Sequence, residues 1–431
     1  MIRFLLITAL SLINCADNTI KLKFKRSFIN SKLTSDNLIS ELRNNYVYVP
    51  ISIGSPEQEL NLNLKLSSYP TYVVDKVTKR TDIPTFEKDK STSFVSDGQV
   101  KHFSFQDFND ALIAQETFSL NGKEAKDITF FDEVESAAYG EPLHVNSGVL
   151  GLHLSEGVDG SVVNTSLIKQ LKKKDIIDSY AFTIKYTGDD KGELIIGGMP
   201  HEYDSDYSAD DFVSTYTMND QHSIEWGIKF NNITYNNVEL GQNIPEADIQ
   251  IESGVIEGNL EYANIIYEQF FRKYIEAGKC QKVQNKTACN YYYYVCDKKD
   301  VNYTEMLPLN FYVKDINFTF SLTEEDLFYE LDGKKYFLVL FQNLESDYYQ
   351  WILGKPFLKK YQMVFDIDKK TIGTYKAKKS SGLGYWWIAI VGFVVVIGLL
   401  VYIISFVLKK PRKKRATELD DDFDYTPVTK D

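Results

Sequence analysis

The chain is poor in histidine and cysteine. Its 431 residues include five His and four Cys, and no spacing among them matches a metal-ligand pattern. Metal chemistry therefore finds no support, and no cofactor is expected. An excess of positive charge is missing too: 60 acidic residues face 48 basic ones, for a net charge of -12. The densest basic run, "KKPRKKR" (Lys409 to Arg415), borders an apolar segment instead of marking a folded face, so nucleic acid is not an expected partner. No short repeat or low-complexity tract interrupts the body. With 44% hydrophobic and 14% aromatic residues, disorder is confined to the ends.

The ends carry address signals. "MIRFLLITALSLINCAD" joins a basic residue, an apolar run and small residues at Cys15 and Ala16, the layout of a secretory signal over residues 1–16. Residues 385–408, "YWWIAIVGFVVVIGLLVYIISFVL", hold no charge and are long enough for one transmembrane helix. Tyr385, Trp386 and Trp387 stand at its first interface and the basic run follows its last residue, which places residues 409–431 in the cytoplasm. The expectation is a single-pass type I membrane protein with a lumenal or extracellular body, in the endomembrane system or at the cell surface. In the tail, Tyr425-Thr426-Pro427-Val428 fits the tyrosine-x-x-apolar pattern read by sorting adaptors.

The remaining cysteines suit that compartment. Cys15 leaves with the signal, so Cys280, Cys289 and Cys296 remain, from which one disulfide and one leftover thiol are expected. Asn164, Asn232, Asn285, Asn302 and Asn317 each begin an Asn-X-Ser/Thr acceptor, and several such sites on an exported body favour glycosylation.

Between the ends the pattern is all-β. Short runs rich in β-branched and aromatic residues recur, among them "YVYVPISIGSPEQELNLNLKL", "AFTIKYTGDDKGELIIGG", "LNFYVKDINFTFSL" and "KYFLVLFQ", separated by turn residues. Helix is expected only as small surface elements, chiefly Asn164 to Lys174 and Glu261 to Ala277. An apolar strand feeds a Ser/Gly turn twice, at Leu64 to Ser68 and at Ile251 to Gly254. That points to a duplicated lobe.

Those turns carry a resemblance. "ISIGSPEQELNLNL", "SGVLGLHLSEG" (Ser147 to Gly157), "GELIIGGMPHEY" (Gly192 to Tyr203) and "WILGKPFLKKYQMVFDIDKKTIG" (Trp351 to Gly373) resemble, in order, four blocks of the pepsin-like aspartic proteases. The resemblance implies a bilobal pepsin-like fold with a propeptide-like segment at 17–45, an N-terminal lobe at 46–210, a C-terminal lobe at 211–378 and a cleft between the lobes. It also implies one Asp per lobe at the cleft floor, each opening an Asp-Thr/Ser-Gly turn. Two carboxyl groups about 3 Å apart there share a proton, because both cannot ionise, and polarise the attacking water.

The motif positions depart from that pattern. The first Asp-Thr-Gly is replaced by Lys65-Leu66-Ser67 and the second by Glu252-Ser253-Gly254; neither Asp-Thr-Gly nor Asp-Ser-Gly occurs anywhere in the chain. Lys65 puts a cation where a proton is shared, and Glu252 keeps a carboxylate on a longer arm. An ion pair between them across the lobes is one use open to them, a solvated lysine the other. The flap region, His102 to Gly122, lacks Tyr-Gly-x-Gly and has Asp107 nearest the flap tyrosine. Lys355 stands where the family often has Asp, near the cleft or simply exposed. Trp351, Phe357, Tyr361 and Phe365 are expected in the core. Segment 17–45 is expected to be trimmed or to stay as an edge strand.

The expected function is that of a catalytically inactive, membrane-anchored homologue binding peptide or protein in the former cleft. The alternatives are an active aspartic-type endopeptidase with unusual catalytic residues, and a structural or adhesive surface glycoprotein.

Overall fold

The structure is a computed structural model that describes residues 18–28, 33–35, 37–68, 70–102, 108–136, 146–154, 165–218, 226–240, 246–285, 291–342 and 351–376. The signal at 1–16, the apolar segment at 385–408, the tail with Tyr425 and Val428, and also Asp107, Asn164 and Cys289 lie outside the described residues. Among the described residues no helix is long and apolar enough to cross a membrane.

Among the described residues strand far outweighs helix. Strands β1 (Ile20–Ser27), β2 (Tyr46–Ile53) and β3 (Gln58–Lys65) follow from alternation, broken in β3 where Asn63 is buried as well. In β1, Ile20, Leu22 and Phe24 turn inward, and in β3 Leu60, Leu62 and Leu64 do the same, because a strand presents every second side chain to one face. Among the described residues the strands form sheets of 13, 9 and 4. The largest gathers strands from the first half of the chain together with Met363–Asp366 and Thr371–Tyr375 from its far end. The other two draw on residues 227–353.

β1 lies inside the large sheet. It pairs antiparallel with Lys191–Ile196, from Ile20↔Ile196 to Lys25↔Lys191, and on its other side with β2, from Lys25↔Tyr48 to Ser27↔Tyr46. The edge strand expected for this segment is thus an interior one, since both its ladders are taken. A short helix, α1 (Leu38–Arg43), follows it.

Each half of the chain builds its turn in the same way. β3 runs parallel to Gly148–Gly151, with Lys65 opposite Gly151, and Glu246–Ile249 runs parallel to Trp351–Leu353, with Ile249 opposite Leu353. Both strands end in the turns singled out by the sequence. The aromatic expectations hold: Trp351, Phe357 and Phe365 are fully buried, and Tyr361 packs on the core half-buried.

Candidate functional site

The two turns meet. After β3, Leu66 is buried and Ser67 exposed. The Glu252 side chain reaches this turn and accepts hydrogen bonds from the Leu66 N–H at 3.2 Å, the Ser67 N–H at 3.0 Å and the Ser67 hydroxyl. All three partners are donors from the opposite turn. A carboxylate offers about four lone-pair sites, so most of its accepting capacity is spent on holding the turns together. Beside it, the Ser253 hydroxyl bonds to the Val255 carbonyl at 3.0 Å inside its own turn.

Backbone packing explains why Gly254 and Gly354 are glycines. A Cβ on Gly254 would lie 1.8 Å from the Leu42 carbonyl oxygen of α1, and one on Gly354 would lie 2.4 Å from that of Ser253. Both are sites where backbone comes closer than any side chain permits. The N–H of Lys355 then donates to the Ser253 carbonyl at 2.8 Å.

Segment 37–45 closes over the second turn. The Asn45 N–H donates to the Glu252 carbonyl at 2.7 Å, and its buried amide donates to Ile251 at 2.7 Å and to the Tyr186 hydroxyl at 3.3 Å. Arg43 forms a two-pronged pair with Glu257, Nε at 3.0 Å and Nη2 at 3.2 Å, and reaches Gln342 at 3.3 Å. Such parallel guanidinium–carboxylate bonds fix direction as well as distance.

Lys355 is buried, not exposed. Its ammonium lies 3.4 Å from Asp190, which also faces Arg26 at 3.6 Å. Burial pulls the Lys355 pKa below the ordinary lysine value, the Arg26 charge adds to this, and Asp190 opposes both.

A second ionisable set escaped sequence reasoning because its members come together only through the sheet. Asp75, Lys88 and Asp132 meet where Tyr72–Val74 (β4) runs parallel to Lys123–Ser136. Lys88 lies 2.8 Å from Asp75 and 3.5 Å from Asp132, which is fully buried. Burial, and secondarily the neighbouring Asp75, pushes the Asp132 carboxyl up to about 8. No motif signalled this.

The cysteine alternatives are resolved by a Cys280–Cys296 disulfide with Cα atoms 4.1 Å apart. The glycan acceptors differ in access. Asn302 and Asn317 are exposed, whereas Asn232 is half-buried with its Oδ1 enclosed and without a hydrogen bond. Asn285 ends a described strand, but its side chain is outside the described residues.

Comparison with known proteins fits this geometry. A family model described as eukaryotic aspartyl protease matches residues 46–377. The chain belongs to that family. An acid protease of Saccharomycopsis fibuligera is 24% identical over 346 residues, covering 78% of this chain and 83% of that protein. Both turns, Lys65 to Ser67 and Glu252 to Gly254, lie within the residues that match this aspartyl protease family.

Proposed function

We propose that this protein is a catalytically inactive member of the aspartyl protease family, exported and anchored by one membrane helix, that acts by holding a peptide or protein partner in or around the former cleft. The carrying observation is the engagement of Glu252 by three donors from the opposing turn, a turn that begins with Lys65 and offers no acid. Hydrolysis by two carboxyl groups needs a shared proton and a water held between them. Here one carboxylate remains at the motif positions, and it serves as a structural acceptor. A lone general acid or base contributes roughly 10²- to 10⁴-fold, short of what peptide cleavage requires. The exposed Asn302 and Asn317 and the Cys280–Cys296 bridge support residence in the secretory system. The test is digestion of a broad peptide library at acidic pH by the purified full chain, with and without a statine-type inhibitor. No inhibitor-sensitive cleavage is expected. Its detection would restore the endopeptidase reading, and failure to find saturable peptide or protein binding would favour the purely structural one.

A further inference from the structure

The four-stranded sheet has two unlike edges. On one side it ends in Val238–Glu239, a short strand carrying an acid. On the other it ends in Phe318–Leu322, which pairs with Leu309–Val313 from Leu309↔Leu322 to Val313↔Phe318 and, among the described residues, with no second strand. A short charged edge resists pairing with another chain, whereas a longer uncharged one invites it. From Ile316 to Thr323 the sequence "INFTFSLT" holds no charge and no proline, the composition of segments that stack strand on strand.

Alternation fixes what that edge shows. Phe320 and Leu322 are buried and Phe318 packs half-buried on the core, so Ser321 and the exposed Thr319 lie on the opposite face. The Tyr361 hydroxyl accepts from the Ser321 N–H at 2.6 Å and donates to the Ser321 carbonyl at 3.1 Å. The main-chain groups of Ser321 therefore point away from Leu309–Val313, and those of Thr319, two residues earlier, point the same way. Tyr361 closes the edge at Ser321. At Thr319, among the described residues, no strand closes it.

Asn317 stands at the head of this strand. Its N–H donates to the Lys314 carbonyl at 3.0 Å, its backbone is left-handed with φ 45°, and its Oδ1 accepts from the Tyr312 hydroxyl at 3.4 Å. Asn317 and Thr319, the first and third residues of the acceptor Asn317-Phe318-Thr319, are both exposed, and about 7 Å of strand separates them. We propose that Asn317 carries an N-linked glycan that blocks the open edge at Thr319, so that two copies of the body do not join strand to strand there. A diphosphate-linked oligosaccharide supplies the sugar: the Asn317 amide nitrogen bonds to the anomeric carbon, the bond from that carbon to the diphosphate breaks, and one amide proton leaves with the diphosphate. This rests on the reading that the body is exported, and adds to it what one acceptor does.

The experiment uses the full chain purified in detergent from a secretory host, as wild type, Thr319→Ser, Thr319→Ala and Thr319→Lys, all of which keep Asn317 in its turn. Mass spectrometry of its peptides reads glycan occupancy at Asn302 and Asn317, and light scattering reads the rate of self-association. Wild type and Thr319→Ser are expected to carry glycan at both positions and to associate at the same rate. Thr319→Ala should lose the Asn317 glycan alone and associate about tenfold faster. Thr319→Lys should lose it too, while its charge on the edge holds the rate near that of wild type. Should Thr319→Ala fail to fold, endoglycosidase treatment of folded wild type and Thr319→Lys carries the comparison, and only wild type should speed up. Asn317 bare while Asn302 is occupied overturns the inference and leaves export standing, as does Thr319→Ala associating no faster than Thr319→Ser. A chain with no glycan at any acceptor removes both.

Discussion

Replacing Glu252 with alanine takes the acceptor from two backbone N–H groups and one hydroxyl. Leaving a donor pair partly enclosed and unmade costs about 1 to 3 kcal/mol, so Glu252→Ala should lower the unfolding midpoint in denaturant, while Glu252→Gln, which keeps an acceptor oxygen, should lower it less. Equal stability of all three proteins would remove the clasp. Asp132 offers a test of opposite character. Its folded-state value near 8 lies above the unfolded value of about 3.9, so between those limits the folded chain keeps a proton that the unfolded chain has released. Stability from this group is present at low pH and falls as pH rises through that window, by up to about 6 kcal/mol. Asp132→Asn should flatten the decline of melting temperature between about pH 5 and pH 8. Parallel curves for the two proteins would show that another group carries it.

At the scale of elements, the packing of α1 on the Glu252 turn makes Gly254→Ala a sharp probe. The added Cβ must displace Leu42 or the turn, at a cost of about 3 kcal/mol, and proteolysis in residues 37–45 should rise with it. A variant as resistant as wild type would mean that the turn shifts freely. The disulfide is a second element-scale device. It closes a loop of sequence separation 16, for which chain entropy predicts about 3 kcal/mol; paired Cys280→Ser and Cys296→Ser replacements should lose most of that in equilibrium unfolding. These elements also mark what the sequence could reveal. The hairpin Ala181–Tyr186 and Lys191–Ile196 was legible because alternation and turn residues are local. So were both motif turns, whose residues are contiguous. The interior place of β1 was not legible: its partners at Lys191–Ile196 lie far along the chain, and alternation alone does not separate an edge strand from an inner one. The burial of Lys355 and the Asp75–Lys88–Asp132 contact were hidden for the same reason, since each depends on which strands and helices become neighbours.

For the molecule as a whole, the decisive feature is how often the two halves of the chain are stitched together. The large sheet takes Met363–Asp366 beside Ala181–Tyr186, so the last described strands complete the architecture of the first half. Trp226, fully buried, donates its indole N–H to the Leu152 carbonyl at 2.7 Å. Lys359 and Lys355 reach Asp189 and Asp190, and Glu252 grips the Ser67 turn. β1 and α1 add a further link, because one segment pairs with the large sheet and packs on the C-terminal half. With a shared sheet and a shared cover, neither half can unfold without exposing apolar surface and unpaired strand edges of the other. Calorimetric unfolding should therefore be one transition, with calorimetric and van't Hoff enthalpies in agreement. Arg43→Ala, which loosens the cover, should broaden or split it, whereas a substitution at the exposed Val77 should leave its shape unchanged. Two resolved transitions in the wild-type protein would show that the halves fold as separate units and that the segment before Tyr46 does not bind them into one.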